Sequence, residues 1–246
     1  MKNIINNIII IGGGSSLQKG IDLGLYERIK NKCTFVLNYE YKYFDGTVIC
    51  FSDTNFYNKN KEELKTKSLI IGVDQNLGIQ PLSNTYIFPL LDTWHDTLNI
   101  KEGLYTCHLT GYMAISLAMW LLNNQGNIYL LGYDFTRRTD EEKLKGIKAD
   151  PNVYGSSLNN RANTHCHTDT LHRGIGYTSY YETTNPDTNF LPFLNKKEIH
   201  IYNVSPKSNI TCFPKINYLE FFKQINDSPN YNPQELQSYI KNRLSI

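Results

Sequence analysis

The sequence lacks an excess of charge of either sign. Its 25 lysine and arginine residues nearly balance its 23 aspartate and glutamate residues. A protein that is drawn to nucleic acid or to an anionic membrane by its overall field carries a clear basic excess. We therefore expect no nucleic-acid partner, and any ligand must be recognised by a local site.

Long apolar runs are missing as well. Stretches such as Ile8–Ile11 and Ala114–Leu122 are far shorter than the roughly 20 residues that a membrane-spanning helix needs. The first residues contain no apolar core of a signal peptide. These absences predict a cytoplasmic protein without a membrane span.

Cysteine is scarce and widely spaced. The chain contains Cys33, Cys50, Cys107, Cys166 and Cys212. An odd number of cysteines at this spacing fits neither a disulfide framework nor the paired spacing of a zinc site. We therefore expect reduced thiols, most of them in the core.

The chain does contain a regular alternation of short apolar runs and helical patterns. Asn7–Ile11 is a run rich in isoleucine, which is typical of a strand buried on both faces of a sheet. The further predicted strands are Thr34–Leu37, Thr47–Phe51, Ser68–Gly72, Thr85–Phe88, Asn127–Leu131 and Glu198–Tyr202. The predicted helices are Leu17–Lys30, Glu62–Lys67, His108–Asn123 with Thr110 as its cap, Asn217–Gln224 and Pro233–Arg243. This alternation predicts an α/β protein with a Rossmann-like, mostly parallel sheet and helices on both faces.

The domain organisation follows from length and composition. A chain of 246 residues with 40% hydrophobic residues suits one domain over residues 1–246. Residues 137–176 are polar and show no periodicity. A long irregular segment of this kind is typical of a lid or of disorder, and we interpret it as a lid-like insertion.

A glycine-rich turn follows the first predicted strand. Its residues are Gly12, Gly13, Gly14, Ser15 and Ser16. Glycine lets a ligand approach the backbone closely, and the next helix offers free N–H groups to an anion. The turn is neither a full Walker motif nor a complete GxGxxG. It is therefore either a phosphate site or a tight turn without a ligand.

Polar residues also follow the next two predicted strands. Asn38 follows the second strand, and Ser52 and Asp53 follow the third. An asparagine donates and accepts at once, as the recognition of a base edge or a sugar hydroxyl requires. Each of these residues alone would also fit a turn cap. Because the carboxyl ends of parallel strands share one edge of a sheet, we expect them beside the glycine turn.

Two further pairs of residues are predicted at the same edge. Thr110 and Gly111 open the long apolar helix, whose first N–H groups point out of the sheet. Asp134 and Phe135 follow the strand after that helix. Together with the glycine turn, these residues form the predicted nucleotide site.

The densest group of candidate acid–base residues lies in the predicted insertion. It comprises His165, Cys166, His167, Asp169 and His172. The segment is irregular and has no CxxC or HExxH spacing, so we expect no metal site. Histidine can take a proton near neutral pH, which favours general acid–base use of this group. Solvated loop histidines are the alternative.

Together, these landmarks resemble the bacterial sialyltransferases of glycosyltransferase family 42. They are more loosely similar to the motility-accessory-factor and hydroxymethylpterin diphosphokinase group. The resemblance is carried by Ile10–Leu17, Asn38 with the aromatics of Tyr39–Phe44, Phe51–Asp53, Leu109–Met113, Ile128–Phe135 and Tyr202–Ser208. The order and spacing of these segments carry the likeness, which runs over most of the chain.

The resemblance implies a transferase that uses a nucleotide-activated donor, most closely a CMP-sugar, with no required cofactor. It implies donor contacts on Gly12, Gly13, Gly14, Asn38, Ser52, Thr110 and Gly111. The family's catalytic histidine stands in a Gly-His-Ser context, where this chain has Tyr177 after Gly176. Either the nearby His172 is the base in its place, or Tyr177 is a phosphate ligand and another group acts as base.

The resemblance leaves the transferred sugar and two other functions open. Cys107 and His108 stand where the family has an arginine, so the sugar is not identified as sialic acid. A diphosphokinase of the pterin branch would need Mg²⁺ and carboxylates such as Asp53 and Asp134 near the phosphates. A nucleotide-binding module without catalysis would fit the replaced histidine. The acceptor and the oligomeric state cannot be predicted from the sequence.

Overall fold

Seven parallel strands form the central sheet of the protein. The structure, a computed structural model, describes residues 5–14, 16–67, 69–74, 78–91, 99–106, 109–134, 190–194 and 198–244. The sheet consists of β1 (Asn7–Ile11), β2 (Thr34–Leu37), β3 (Val48–Phe51), β4 (Ile70–Val73), β5 (Thr85–Phe88), β8 (Gly126–Leu131) and β9 (Ile199–Asn203). Two short strands, β6 (Leu90–Leu91) and β7 (Leu104–Tyr105), pair with each other. The predicted lid at 137–176 lies outside the described residues.

The strand order of the sheet reverses next to β1. The order is β5-β4-β3-β2-β1-β8-β9, so the chain moves outward from β1 to β5 and then crosses to the other side. Every strand pair in this sheet is parallel. Ile11 at the end of β1 lies beside Val36 of β2 and Leu131 of β8. Open sheets of this type bind ligands outside the carboxyl ends of the strands, near the reversal.

Helices cover both faces of the sheet. They are α1 (Leu17–Asp22), α2 (Leu25–Ile29), α3 (Thr54–Leu64), α4 (Thr110–Leu121), α5 (Tyr218–Asn226) and α6 (Pro233–Leu244), with 3-10 helices at Asn38–Lys42 and Leu191–Phe193. One buried cluster joins the sheet to α4 and α6. The other joins it to α1, α2, α3 and α5. The predicted Rossmann-like α/β fold is therefore confirmed.

The isoleucine run of β1 explains its central place in the sheet. Ile8 and Ile10 belong to the cluster that contains α4, whereas Ile9 and Ile11 belong to the opposite cluster. Each of the four is at most 1% exposed. Because successive side chains of a strand point to opposite faces, only a continuous apolar run can fill both clusters.

Two helix predictions have the wrong bounds. The helix predicted over Leu17–Lys30 is two helices, because Gly24 between them has a φ of +81° in the left-handed region. The helix predicted from Glu62 begins at Thr54 instead. Asp53 sets that start, because its carboxylate accepts the N–H of Asn55 at 2.8 Å and caps α3.

The described cysteines are free thiols, as expected. Cys33 and Cys50 are buried, and Cys212 is half-buried. Burial raises the pKa of the Cys33 and Cys50 thiols, which keeps them protonated and unreactive. Cys107 and Cys166 lie outside the described residues.

The described helices include no candidate for a membrane span. None of them is both long enough and apolar enough to cross a bilayer.

Gly20 allows α1 to pack closely on α5, and this contact can be tested. A methyl group at Gly20 would lie 2.4 Å from Cε1 of Tyr218. In an open helix the change from glycine to alanine stabilises by about 1 kcal/mol, but overpacking costs about 1–3 kcal/mol. Three atoms of the buried Tyr218 side chain would lie within 2.9 Å of the methyl group, so we expect the upper part of that cost, about 2–3 kcal/mol. We therefore predict that Gly20→Ala lowers the free energy of unfolding by about 1–2 kcal/mol, measured by urea denaturation.

The matched control for this prediction is Lys19→Ala. Lys19 lies in the same helix but is exposed. Its replacement should change the free energy of unfolding by less than about 0.5 kcal/mol. A Gly20→Ala protein as stable as the wild type would contradict the close contact between α1 and α5.

Candidate ligand site at the carboxyl ends of the strands

Three of the predicted site residues form one hydrogen-bonded cluster. Asn38 follows β2, Ser52 follows β3, and Thr110 is the first residue of α4. The N–H of Ser52 donates to Thr110 Oγ1 at 3.2 Å, and the two hydroxyl oxygens are 2.8 Å apart. The Thr110 hydroxyl also lies 3.3 Å from Asn38 Oδ1, to which it donates. We call these three residues the hydroxyl cluster.

The hydroxyl cluster differs from the sequence prediction in one respect. Thr110 was expected to cap α4, but the residue before the first turn is Leu109, which provides no side-chain cap. The Thr110 hydroxyl points instead to the ends of β2 and β3. Thr110 and Ser52 are 6% and 1% exposed, so their hydroxyl groups need partners within the protein.

The backbone at Asn38 explains why an asparagine occupies this position. Its φ of +49° lies in the left-handed region, which asparagine adopts more readily than most residues. A 3-10 helix begins there and turns the chain away from the sheet. Asn38 is only half-buried, so its amide lies between the cluster and the surface. This position suits contact with a ligand.

The amino-terminal end of α4 is uncapped. The 12-residue helix has no side-chain cap and no acidic residue in its first turn. The first N–H groups of such a helix carry a partial positive charge and attract negative groups. At Gly111, an added Cβ would lie 3.0 Å from the ring of Tyr133, so the second residue of α4 must be small.

The glycine turn packs against the end of β8. The N–H of Gly12 donates to Leu131 O at 2.8 Å, and the N–H of Gly14 donates to Gly132 O at 2.9 Å. A Cβ at Gly14 would lie 2.5 Å from Gly132 O. This close packing explains the glycines at positions 12 and 14 without a ligand. A tight turn without a ligand is one of the two interpretations of the sequence. Gly13 is half-buried, and Ser15 lies outside the described residues.

The structure brings Asp134 to the glycine turn, as the shared sheet edge predicts. Its side chain is only 4% exposed. The carboxylate accepts the N–H of Ser16 at 2.7 Å, the hydroxyl of Ser16, and the hydroxyl of Ser205 at 2.7 Å. It therefore binds two segments of the protein to each other. Phe135 lies outside the described residues.

Asp53 has the arrangement of a turn cap. Its carboxylate accepts the N–H of Asn55 and starts α3. Within the described residues, no three His, Cys, Asp or Glu side chains are grouped so that they could hold a metal ion. The histidine group of the predicted insertion, including His172, and also Tyr177 lie outside those residues.

Sequence reasoning missed several residues that shape this edge. Tyr133 is buried below α4 and its hydroxyl donates to Gly111 O at 3.2 Å. Burial raises the pKa of Tyr133 well above its usual value, so it stays a neutral donor. Asp74 follows β4 and accepts the N–H of Ile79 at 2.8 Å. The strand-end rule that found Asn38 could also have found Asp74. Ser205 belongs to the segment Tyr202–Ser208 of the resemblance, but no role was predicted for it.

Tyr39 lies next to the hydroxyl cluster. Its ring packs edge-on against Phe56, with 4.9 Å between the ring centroids. Burial raises the pKa of the Tyr39 phenol, to which the nearby charge of Asp53 also contributes. The phenol is therefore protonated at neutral pH.

One comparison with known proteins found a similar fold. No family model matches the chain, and no curated protein matches its sequence. A solved structure of MAf glycosyltransferase from Magnetospirillum magneticum AMB-1 is similar, with a TM-score of 0.52 and 11% sequence identity. The similarity covers 100% of this chain but 38% of that one, so this chain spans well under half of its length. At this identity the likeness shows a shared fold.

The hydroxyl cluster can be tested through stability. Thr110→Val keeps the shape of the side chain but leaves the buried N–H of Ser52 without its acceptor. We predict a loss of about 1–3 kcal/mol in the free energy of unfolding, measured by urea denaturation. Thr110→Ser keeps the hydroxyl and should lose less than about 1 kcal/mol. Equal losses for valine and serine would show that the hydroxyl contacts are not what Thr110 contributes.

Proposed function

We propose that the chain is a glycosyltransferase that takes a nucleotide-activated sugar donor, with a CMP-sugar as its donor class. One observation carries the proposal. An uncapped helix end at Thr110 and Gly111 stands directly over the polar ends of β2 and β3. The fold shared with a protein named as a glycosyltransferase supports it, as does the resemblance to family 42.

The donor phosphate would lie at the amino-terminal end of α4. The first N–H groups of α4 would donate to phosphate oxygens. The short helix α1 is a weaker anion site, because the N–H of Ser16 before it already donates to Asp134. The donor is therefore expected to bridge the glycine turn and α4, with its charge at α4.

The nucleoside would lie against Asn38. The amide of Asn38 is held by Thr110 on one side and half-exposed on the other. An amide in this position can pair with a base edge or a ribose hydroxyl. Ser52 would act by holding Thr110 rather than by a contact of its own, since it is 1% exposed.

The transfer step would use His172 as general base. The acceptor hydroxyl oxygen attacks the anomeric carbon as its proton passes to the histidine. The bond from that carbon to the phosphate oxygen breaks, and CMP leaves with the electron pair. Tyr177 would stabilise the charge that develops on the phosphate. Tyr177 stands where the family resemblance has its catalytic histidine, and His172 lies nearby in the sequence.

A diphosphokinase is the second candidate, but the carboxylates that it would need already have other partners in the protein. It would need Asp53 and Asp134 to bind Mg²⁺ near the phosphates. Asp53 caps α3, and Asp134 accepts hydrogen bonds from Ser16 and Ser205. Both carboxylates therefore already stabilise the protein in ways that compete with a metal. The third candidate is a nucleotide-binding module without catalysis.

Ligand binding is tested first, through Asn38. CMP at about 100 times its Kd should stabilise the wild-type protein by about 2.7 kcal/mol in thermal unfolding. Asn38→Gly removes the amide while keeping a residue that tolerates the φ of +49°. We predict that it weakens CMP binding about tenfold, measured by calorimetry.

The control for Asn38→Gly is Asn123→Gly. Asn123 has a nearly equal φ of +51° but lies just beyond the opposite end of α4. Its replacement should leave CMP affinity unchanged. If the two variants bind CMP equally well, Asn38 does not contact the nucleotide.

Catalysis is tested through His172. With CMP-sugars and a panel of sugar acceptors, the wild-type protein should release CMP. His172→Ala should lower that rate by about 10²–10⁴-fold with unchanged CMP affinity. His200→Ala, an exposed histidine in β9, should leave the rate unchanged. Release of AMP from ATP and Mg²⁺ would favour the diphosphokinase, and CMP binding without any product would favour the binding module.

A further inference from the structure

The carboxylate of Asp134 lies between two segments that are far apart in the sequence. On one side it accepts the N–H and the hydroxyl of Ser16, at the end of the glycine turn. On the other side it accepts the hydroxyl of Ser205, in the segment after β9. All three donors belong to the protein, and the side chain is 4% exposed.

The contact with the glycine turn is direct. A Cβ at Gly14 would lie 2.7 Å from the carboxylate carbon of Asp134, so only glycine lets the turn lie this close. The turn is already bound to β8 through Gly12 and Gly14. Asp134 attaches the end of the turn, because it binds Ser16, the last residue before α1. The two attachments fix the turn at its beginning and at its end.

The segment after β9 provides a rigid support for this carboxylate. The hydroxyl of Ser208 donates to Tyr133 O at 2.7 Å, and the N–H of Asn209 donates to Asp134 O at 2.9 Å. The buried amide of Asn203 also donates to Tyr133 O. Ser205 is 1% exposed, so its hydroxyl is shielded from bulk water. Ser205 therefore holds Asp134 from a well-anchored backbone.

We propose that Asp134, held by Ser205, is a positioning residue that fixes the glycine turn in its ligand-binding conformation through Ser16. A turn of successive glycines has a large conformational freedom, and a binding site made from it loses affinity if it must be ordered by the ligand. The attachment to Asp134 removes that loss. The effect on donor binding rests on the proposed function, whereas the effect on the turn does not.

Charge has to be separated from positioning in the test. A carboxylate near a phosphate repels it, so Asp134→Ala alone would change two things at once. Ser205→Ala weakens the support of Asp134 without changing any charge. Ser228→Ala is its matched control, because it also removes a buried hydroxyl, but one that accepts from the amide of Asn7 at the end of β1 opposite to the glycine turn.

The experiment measures hydrogen exchange at the amide of Ser16 and CMP affinity by calorimetry. Loss of a hydrogen bond to a charged group typically changes an equilibrium about tenfold to a hundredfold. We expect Asp134→Ala to speed exchange at Ser16 by about that factor, and Ser205→Ala to speed it severalfold. Ser228→Ala should leave exchange at Ser16 unchanged. CMP affinity should fall in Ser205→Ala and stay unchanged in Ser228→Ala.

The outcomes separate the two proposals. Exchange at Ser16 that is equally slow in wild type and Ser205→Ala, or equally raised by Ser228→Ala, would overturn the positioning role, and neither result depends on any ligand. Faster exchange with unchanged CMP affinity would overturn the link to binding. If wild-type protein binds no CMP while exchange at Ser16 responds as expected, the proposed function fails and the attachment of the turn stands.

Discussion

The close approach of two backbones at the strand-order reversal determines the shape of this edge of the sheet. A Cβ at Gly132 would lie 2.4 Å from Gly12 O, and Gly132 has a φ of +67°. A side chain at Gly14 would collide in the same way with Gly132 O. Because the two turns fit together without side chains, Asp134 can reach Ser16. The same fit places Tyr133, which follows Gly132, against Gly111 at the amino-terminal end of α4.

This packing fills part of the crevice where open α/β sheets usually bind ligands. The backbone of the glycine turn is bonded to the end of β8, and a protein carboxylate occupies the N–H before α1. Among the described residues, the half-buried Asn38 and the uncapped end of α4 lie on the other side of β1 from this carboxylate. The field at this edge is therefore uneven. It is negative around Asp134 and positive around Thr110 and Gly111, which would orient a ligand that has one charged and one neutral end.

Much of the fold could be predicted because it depends on local pattern. The run Asn7–Ile11 matched β1 residue for residue, since a strand buried on both faces leaves a continuous apolar run. Asn38, Ser52 and Thr110 could be grouped because parallel strands end at one edge. The break at Gly24 and the early start of α3 were missed, because a single left-handed residue or a single cap outweighed the spacing of apolar residues.

The parts of the site that could not be predicted depend on contacts between distant segments. Thr110 has the residue type of a cap, yet its hydroxyl bonds to strand ends more than fifty positions earlier in the chain. Ser205 lies in Tyr202–Ser208, which carries part of the resemblance, but its role appears only where β9 ends beside Asp134. Glycine-rich turns are ambiguous for the same reason. Glycine permits close approach of a ligand and of a neighbouring backbone equally well. In this chain the neighbouring backbone already accounts for Gly12 and Gly14, so the uncapped end of α4 supports a nucleotide site more strongly than the glycine motif does.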